Sequence, residues 1–207
     1  MKQSKFIQSG AHNREGGFTL IEVMIAIVVM LVGVLAVIAS LATAVAATQS
    51  AEEDLIARQK VLEAMESIYT ARNSQQIPFS AVANVSNGGI FLDGPQPLKC
   101  AGPDGLVNTG DDVSCTTAAG VTCPDGGAEC MVLPGPDGIL GTADDVTMSL
   151  GNFTRTISMN TVVYPAGAPN AGSINNNMMA MTITVTYTKP GMPTRSFSAA
   201  GLISSYH

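Results

Sequence analysis

Gly17-Phe18-Thr19-Leu20-Ile21-Glu22-Val23-Met24-Ile25-Ala26-Ile27-Val28-Val29-Met30-Leu31-Val32-Gly33-Val34-Leu35-Ala36 decides the fold. From Val23 to Ala47 there is no charge and no proline, and the run is Val-, Ile-, Leu-, Met- and Ala-rich. At about 1.5 Å per residue it is long enough to cross the roughly 30 Å hydrocarbon core of a bilayer. Three of the ten basic residues, Lys2, Lys5 and Arg14, precede it, and a basic leader ahead of an apolar run stays on the cytoplasmic side. An ordinary secretory signal has its small-residue cleavage site after the apolar core. Here the small residues, Gly16 and Gly17, come before it, so a cut after Gly17 removes a polar leader and leaves the anchor in place.

Glu22 interrupts the apolar pattern, and no Lys or Arg lies near it on the same helix. A carboxylate at bilayer depth costs about 2.5–3.5 kcal/mol on insertion scales, so such a residue calls for a partner. Two readings stand. A cut after Gly17 would free an α-amino group on Phe18 that a neighbouring copy could present to Glu22, or Glu22 could sit at the membrane interface and reach water.

Beyond the apolar run, residues 48–76 lack glycine and, up to Gln76, proline, and they continue the helix as an amphipathic half. Leu55, Leu62 and Tyr69 recur every seven residues, with Ile56 and Met65 on the same flank, which predicts the stripe that meets the rest of the chain. Asn73-Ser74 and then Pro78 end it, giving a helix of about 80 Å at about 1.5 Å per residue. Its first half has nothing of its own chain to cover it, so lipid or other copies must. Residues 77–133 are punctuated by Gly, Pro and Asn, as loops are. Strand patterns follow at Phe153–Tyr164 and at Met179–Tyr187, where Met181, Ile183, Val185 and Tyr187 share one face and threonines the other. Arg195–Ser204 returns as the partner strand after a Pro-Gly turn. The expected fold class is α+β, a long N-terminal α-helix packed on a C-terminal antiparallel β-sheet of three or four strands.

Net charge is −6 over 207 residues, with no basic patch, which excludes a nucleic-acid partner. The four cysteines, Cys100, Cys115, Cys123 and Cys130, lack the Cys-x-x-Cys spacing of a zinc site and lie far in sequence from His12 and His207. In an exported chain they predict two disulfides, with three connectivities open. An acidic loop occurs twice. Gly102–Val113 and Gly135–Val146 agree at eight of twelve positions, each placing one Asp (104 or 137) ahead of an Asp pair (111 and 112, or 144 and 145). Three carboxylates on a Gly-bent loop suit a hard cation such as Ca²⁺, although the spacing is not that of an EF-hand. The same residues also favour solvated Asp-Gly turns. No interior histidine, nucleophile motif or phosphate loop supports an enzyme.

The segment Gly17-Phe18-Thr19-Leu20-Ile21-Glu22, with its leader and apolar helix, resembles the processing site of type IV prepilins and type II secretion pseudopilins. The resemblance implies the type IV pilin fold, a leader 1–17, a membrane and filament-core helix 18–47, and an exported domain 77–207. It implies cleavage by a prepilin peptidase between Gly17 and Phe18, N-methylation of Phe18, and a role for Glu22 in subunit assembly. Its implied partners are other major and minor pilins and the inner-membrane assembly platform, with lipid before assembly. Its implied location is the bacterial inner membrane and then the pilus at the cell surface. Leu31-Val-Gly33-Val-Leu35, Glu53–Lys60 and the C-terminal Thr-Val-Thr-Tyr hairpin are similar to minor pilins of the V type, clearly over about residues 16–72. The acidic loops resemble, loosely, the calcium loop of major pseudopilins, and a secretion pseudopilin is the alternative.

Overall fold

The structure, a computed structural model, describes residues 17, 19–118, 120–189 and 193–205. It divides into two compact units, residues 1–49 and 50–207, and one helix, α1 (Leu20–Asn73), contributes to both. In the first unit the helix carries the apolar run, and nearly every side chain from Leu20 to Val45 is exposed.

The second unit has its own core. Ile56, Ala57, Val61, Ala64, Ile68 and Ala71 of α1 are buried against a four-stranded antiparallel sheet in the order β1 (Gln96–Pro97), β4 (Phe153–Val163), β5 (Ile174–Tyr187), β6 (Arg195–Ser204). The expected stripe is corrected here. Leu55 and Leu62 are 65% and 51% exposed, and Tyr69 and Met65 are only flanking. The buried positions 57, 61, 64, 68 and 71 step by four and three, and small residues at three of them let the helix backbone approach the sheet closely. Side-chain size, more than the number of leucines, picks the seam.

Met181, Ile183, Val185 and Tyr187 of β5 face that seam as the alternation predicts, joined by Phe153, Ile157 and Met159 of β4. β6 has the predicted bounds. β5 begins five residues earlier than its Met-Thr pattern, because a register shift between Thr161 and Val162 of β4 brings Asn175 and Ile174 back into the ladder. A second, two-stranded sheet, β2 (Cys130–Leu133) with β3 (Val146–Ser149), brackets the second acidic loop. It carried no usable pattern, since four residues per strand give barely two alternations.

The outer edge of β4 is closed by β1 and by two buried asparagines. Asn84 Nδ2 donates to the Ile157 carbonyl at 2.8 Å and its Oδ1 accepts from Met159 N–H at 2.7 Å, so one side-chain amide stands in for a strand.

Candidate functional site

Thr19 starts α1. The Glu22 amide donates to Thr19 Oγ1 at 3.3 Å, and Thr19 O accepts from Glu22 and Val23 amides. Thr19-x-x-Glu22 is thus built as half of a capping box, and Glu22 sits in the first turn, where a negative charge suits the positive end of the helix dipole. This gives Glu22 a local role that composition alone did not reveal, although the Thr-x-x-Glu spacing carried the signal. Its side chain is exposed, beside Val23, Ala26, Ile27 and Met30. Gly17 is described and exposed; Phe18, and with it the predicted cleavage and methylation point, lies outside the described residues.

The cysteines pair as Cys100–Cys115 and Cys123–Cys130, with Cα atoms 5.1 and 5.7 Å apart. Both pairs lie along one cleft with Lys60 and Glu129.

In each acidic loop the carboxylates turn inward onto the loop's own donors. Asp104 Oδ1 accepts from Leu106 N–H at 2.8 Å, and Asp137 Oδ1 from Ile139 N–H at 2.8 Å. Asp111 Oδ2 accepts from Asp104 N–H at 3.2 Å and Asp144 Oδ2 from Asp137 N–H at 3.2 Å. Thr109 donates to Asp111 at 2.7 Å, and Thr142 to Asp144 at 2.6 Å. Asp112 accepts from Asn108 N–H at 2.8 Å and Asp145 from Gly141 N–H at 2.7 Å. The Thr109 and Thr142 hydroxyls are the main reason that the Asp111 and Asp144 carboxyls lie below the ordinary value. Burial pushes Asp112 the other way, against the N–H groups of Asn108 and Thr109 and the charge of Arg155. Among the described residues, no group of three or more His, Cys, Asp or Glu converges as metal ligands do.

Sequence reasoning missed a buried charge network behind the first loop. Arg155 on β4, 1% exposed, donates from Nε to Asn108 Oδ1 at 2.8 Å, and its Nη1 lies 3.9 Å from Glu129. Glu129 pairs in turn with Lys60 of α1, which also reaches Glu63 at 2.9 Å. Burial works against the Lys60 charge, yet Glu129 and Glu63 together hold its ammonium above the usual lysine range. Arg155 stands at an apolar-face position of the strand, and only its break in the Phe153–Ile157–Met159 alternation hinted at a buried partner.

Fold and N-terminus together define a chain with a bare apolar helix ahead of a small α+β domain closed by disulfides. A model of the prokaryotic N-terminal methylation motif matches residues 12–46. That motif suggests a type IV pilin- or pseudopilin-like protein, and it implies processing by a prepilin peptidase and assembly with other pilins. The apolar helix is consistent with anchoring in the inner membrane. No curated protein and no solved structure matches the chain.

Proposed function

We propose that the chain is a minor subunit of a type IV pilus. It enters the inner membrane as a prepilin, is cut between Gly17 and Phe18, is N-methylated on Phe18, and is then built into the filament or primes it. One observation carries this reading: the methylation motif sits directly on an apolar helix whose side chains no part of the described chain covers. In assembly the Glu22 carboxylate receives the ammonium of a neighbouring Phe18, which settles its charge once lipid is left behind. The role is structural, without a catalytic step.

A pseudopilin of a type II secretion system is favoured by one feature, the acidic loops, through their likeness to the pseudopilin calcium loop. In that reading, and also in the pilus reading, Asp104, Asp111 and Asp112, or Asp137, Asp144 and Asp145, bind Ca²⁺ after turning outward from the loop's own N–H groups. Mass spectrometry of the native protein tests processing: the expected mature chain begins at N-methylated Phe18, and any other start rejects the assignment. Deleting the gene separates the two systems, since loss of pili with intact secretion supports the first and the converse supports the second.

A further inference from the structure

Both disulfides open onto the cleft of about 320 Å³ that also holds Lys60 and Glu129, and the two residues of each bond are placed unequally in it. Cys115 and Cys123 are 3% and 4% exposed, whereas Cys100 and Cys130 are half-buried. Each bond therefore has an inner and an outer half.

The two inner residues, which are not bonded to each other, belong to one hairpin. Thr116 pairs antiparallel with Thr122, the Thr117 N–H donates to the Val121 carbonyl at 2.8 Å, and the Cys123 N–H donates to the Cys115 carbonyl at 2.9 Å. Continuing that register sets Cys115 opposite Cys123, with both side chains on one face. Opposed residues of an antiparallel pair have Cα atoms about 4.5–5.5 Å apart, inside the roughly 4.4–6.8 Å that a disulfide spans. The Cys115 N–H is tied to the Gly127 carbonyl at 2.9 Å, and Gly127 leaves no room for a side chain against Ser114, so the base of the hairpin is held from both sides. The outer residues are anchored elsewhere. Cys100 exchanges backbone hydrogen bonds with Val113 at 3.2 and 3.0 Å, and Cys130 is laddered to Ser149 of β3. Opening either disulfide leaves all four cysteines fixed by their backbones.

We propose that the four cysteines form a thiol–disulfide relay, in which a dithiol that attacks either outer sulfur yields one product: Cys115 joined to Cys123, with Cys100 and Cys130 as thiols. A thiolate of the dithiol reaches Cys100 from the cleft, the Cys100–Cys115 bond breaks, and Cys115 leaves as a thiolate while Cys100 enters a mixed disulfide. The Cys115 thiolate lies opposite Cys123 and attacks it. The Cys123–Cys130 bond breaks, and Cys130 leaves and takes a proton. The second thiol of the dithiol then resolves the mixed disulfide, departing as its own disulfide and leaving Cys100 as a thiol. Two electrons pass to the chain, and the two protons that the dithiol gives up end on Cys100 and Cys130. Entry at Cys130 runs the same sequence through Cys123 to Cys115. A half-reduced chain thus keeps a cross-link inside and presents its thiols only along the cleft, where an oxidant restores the original pairs by the reverse path. None of this depends on which filament the chain joins.

The test has two arms. In the first, the full chain in detergent is treated with one equivalent of dithiothreitol, and its thiols are trapped with N-ethylmaleimide before unfolding. Cleavage before aspartates places Cys115 and Cys123 together in the peptide Asp112–Pro124 and puts Cys100 and Cys130 in others, so mass spectrometry reads the pairing directly. The half-reduced species should carry its labels on Cys100 and Cys130, with Asp112–Pro124 closed by its own disulfide, in about tenfold excess over either native pair, a difference of about 1.4 kcal/mol. A native bond retained in that species, or no half-reduced species at all, overturns the relay. In the second arm, the double variant Cys100→Ser/Cys130→Ser is oxidised in the glutathione buffer that closes the native disulfides. Cys115 and Cys123 should then join, and two free thiols overturn the inner pairing. The first arm uses the native chain, so it decides the matter even where the variant fails to fold.

Discussion

Thr109 and Asp111 show how much a single hydroxyl controls. The Asp111 carboxyl lies below its ordinary value of 3.8, chiefly through the hydrogen bond from Thr109. A depressed folded value means that this group favours the folded state above pH about 3.9 and loses that favour as pH falls through its folded value. Thr109→Val should therefore move the Asp111 titration upward, read by carboxyl NMR, and Thr142→Val should do the same for Asp144. An unchanged midpoint would mean that the hydroxyl bonds do not persist in solution. Glu22 belongs to the same scale. Replacing it by Ala should leave membrane insertion intact and impair incorporation into filaments, measured as its fraction in sheared pili. Undiminished incorporation would reject its pairing with Phe18.

The twin loops allow two elements that agree at eight of twelve positions to be compared. Leu106→Ala opens a hole in a core and should cost about 2–5 kcal/mol, while Ile139→Ala, on the exposed copy, should stay within about 0.5 kcal/mol. Chemical denaturation of the two variants checks this, and equal losses would mean that the second loop is also docked. The disulfides offer a similar contrast. A crosslink across fifteen residues restrains the unfolded chain by about 3 kcal/mol and one across seven by about 2 kcal/mol, so removing Cys100–Cys115 should cost more than removing Cys123–Cys130. Each pair is removed by double Ala substitution and compared by Tm.

Much of this was legible beforehand, for reasons that differ by element. The apolar run, the end of α1 at Asn73, the bounds of β6 and the inward face of β5 follow from periodicity and breakers that each act locally. The seam of α1 was misjudged because Leu55 and Leu62 look like core by composition, whereas the sheet admits Ala57, Ala64 and Ala71. Arg155, Glu129 and Lys60 could not be paired from sequence, since they lie on three elements that only folding brings together. Asn84 and Asn108 were invisible for the same reason, being loop residues whose amides complete a strand edge far along the chain. The acidic repeat was plain in the letters, but only the fold puts Leu106 of the first copy in the core and leaves Ile139 of the second exposed.

For the molecule as a whole, Asp54 ties the helix to the last hairpin of the second unit. It accepts from the Tyr187 hydroxyl at 2.6 Å and from Arg195 at 2.7 Å, and Tyr187 stacks on Phe153 with ring centres 5.1 Å apart. Asp54→Asn keeps the shape and weakens an exposed ion pair, so a loss of no more than about 1 kcal/mol is expected by denaturation.

The sheet, finally, is sealed on one flank only. β4 has its rim filled by β1 and by the Asn84 and Asn108 amides, whereas among the described residues β6 is laddered to β5 alone. Deuterium uptake should follow that asymmetry, with every second amide of Arg195–Ser204 exchanging fast while the Ile157–Met159 stretch stays slow. Should the domain ever recruit a foreign strand, through misfolding or by templating, growth has a single direction open to it, outward from the C-terminal hairpin.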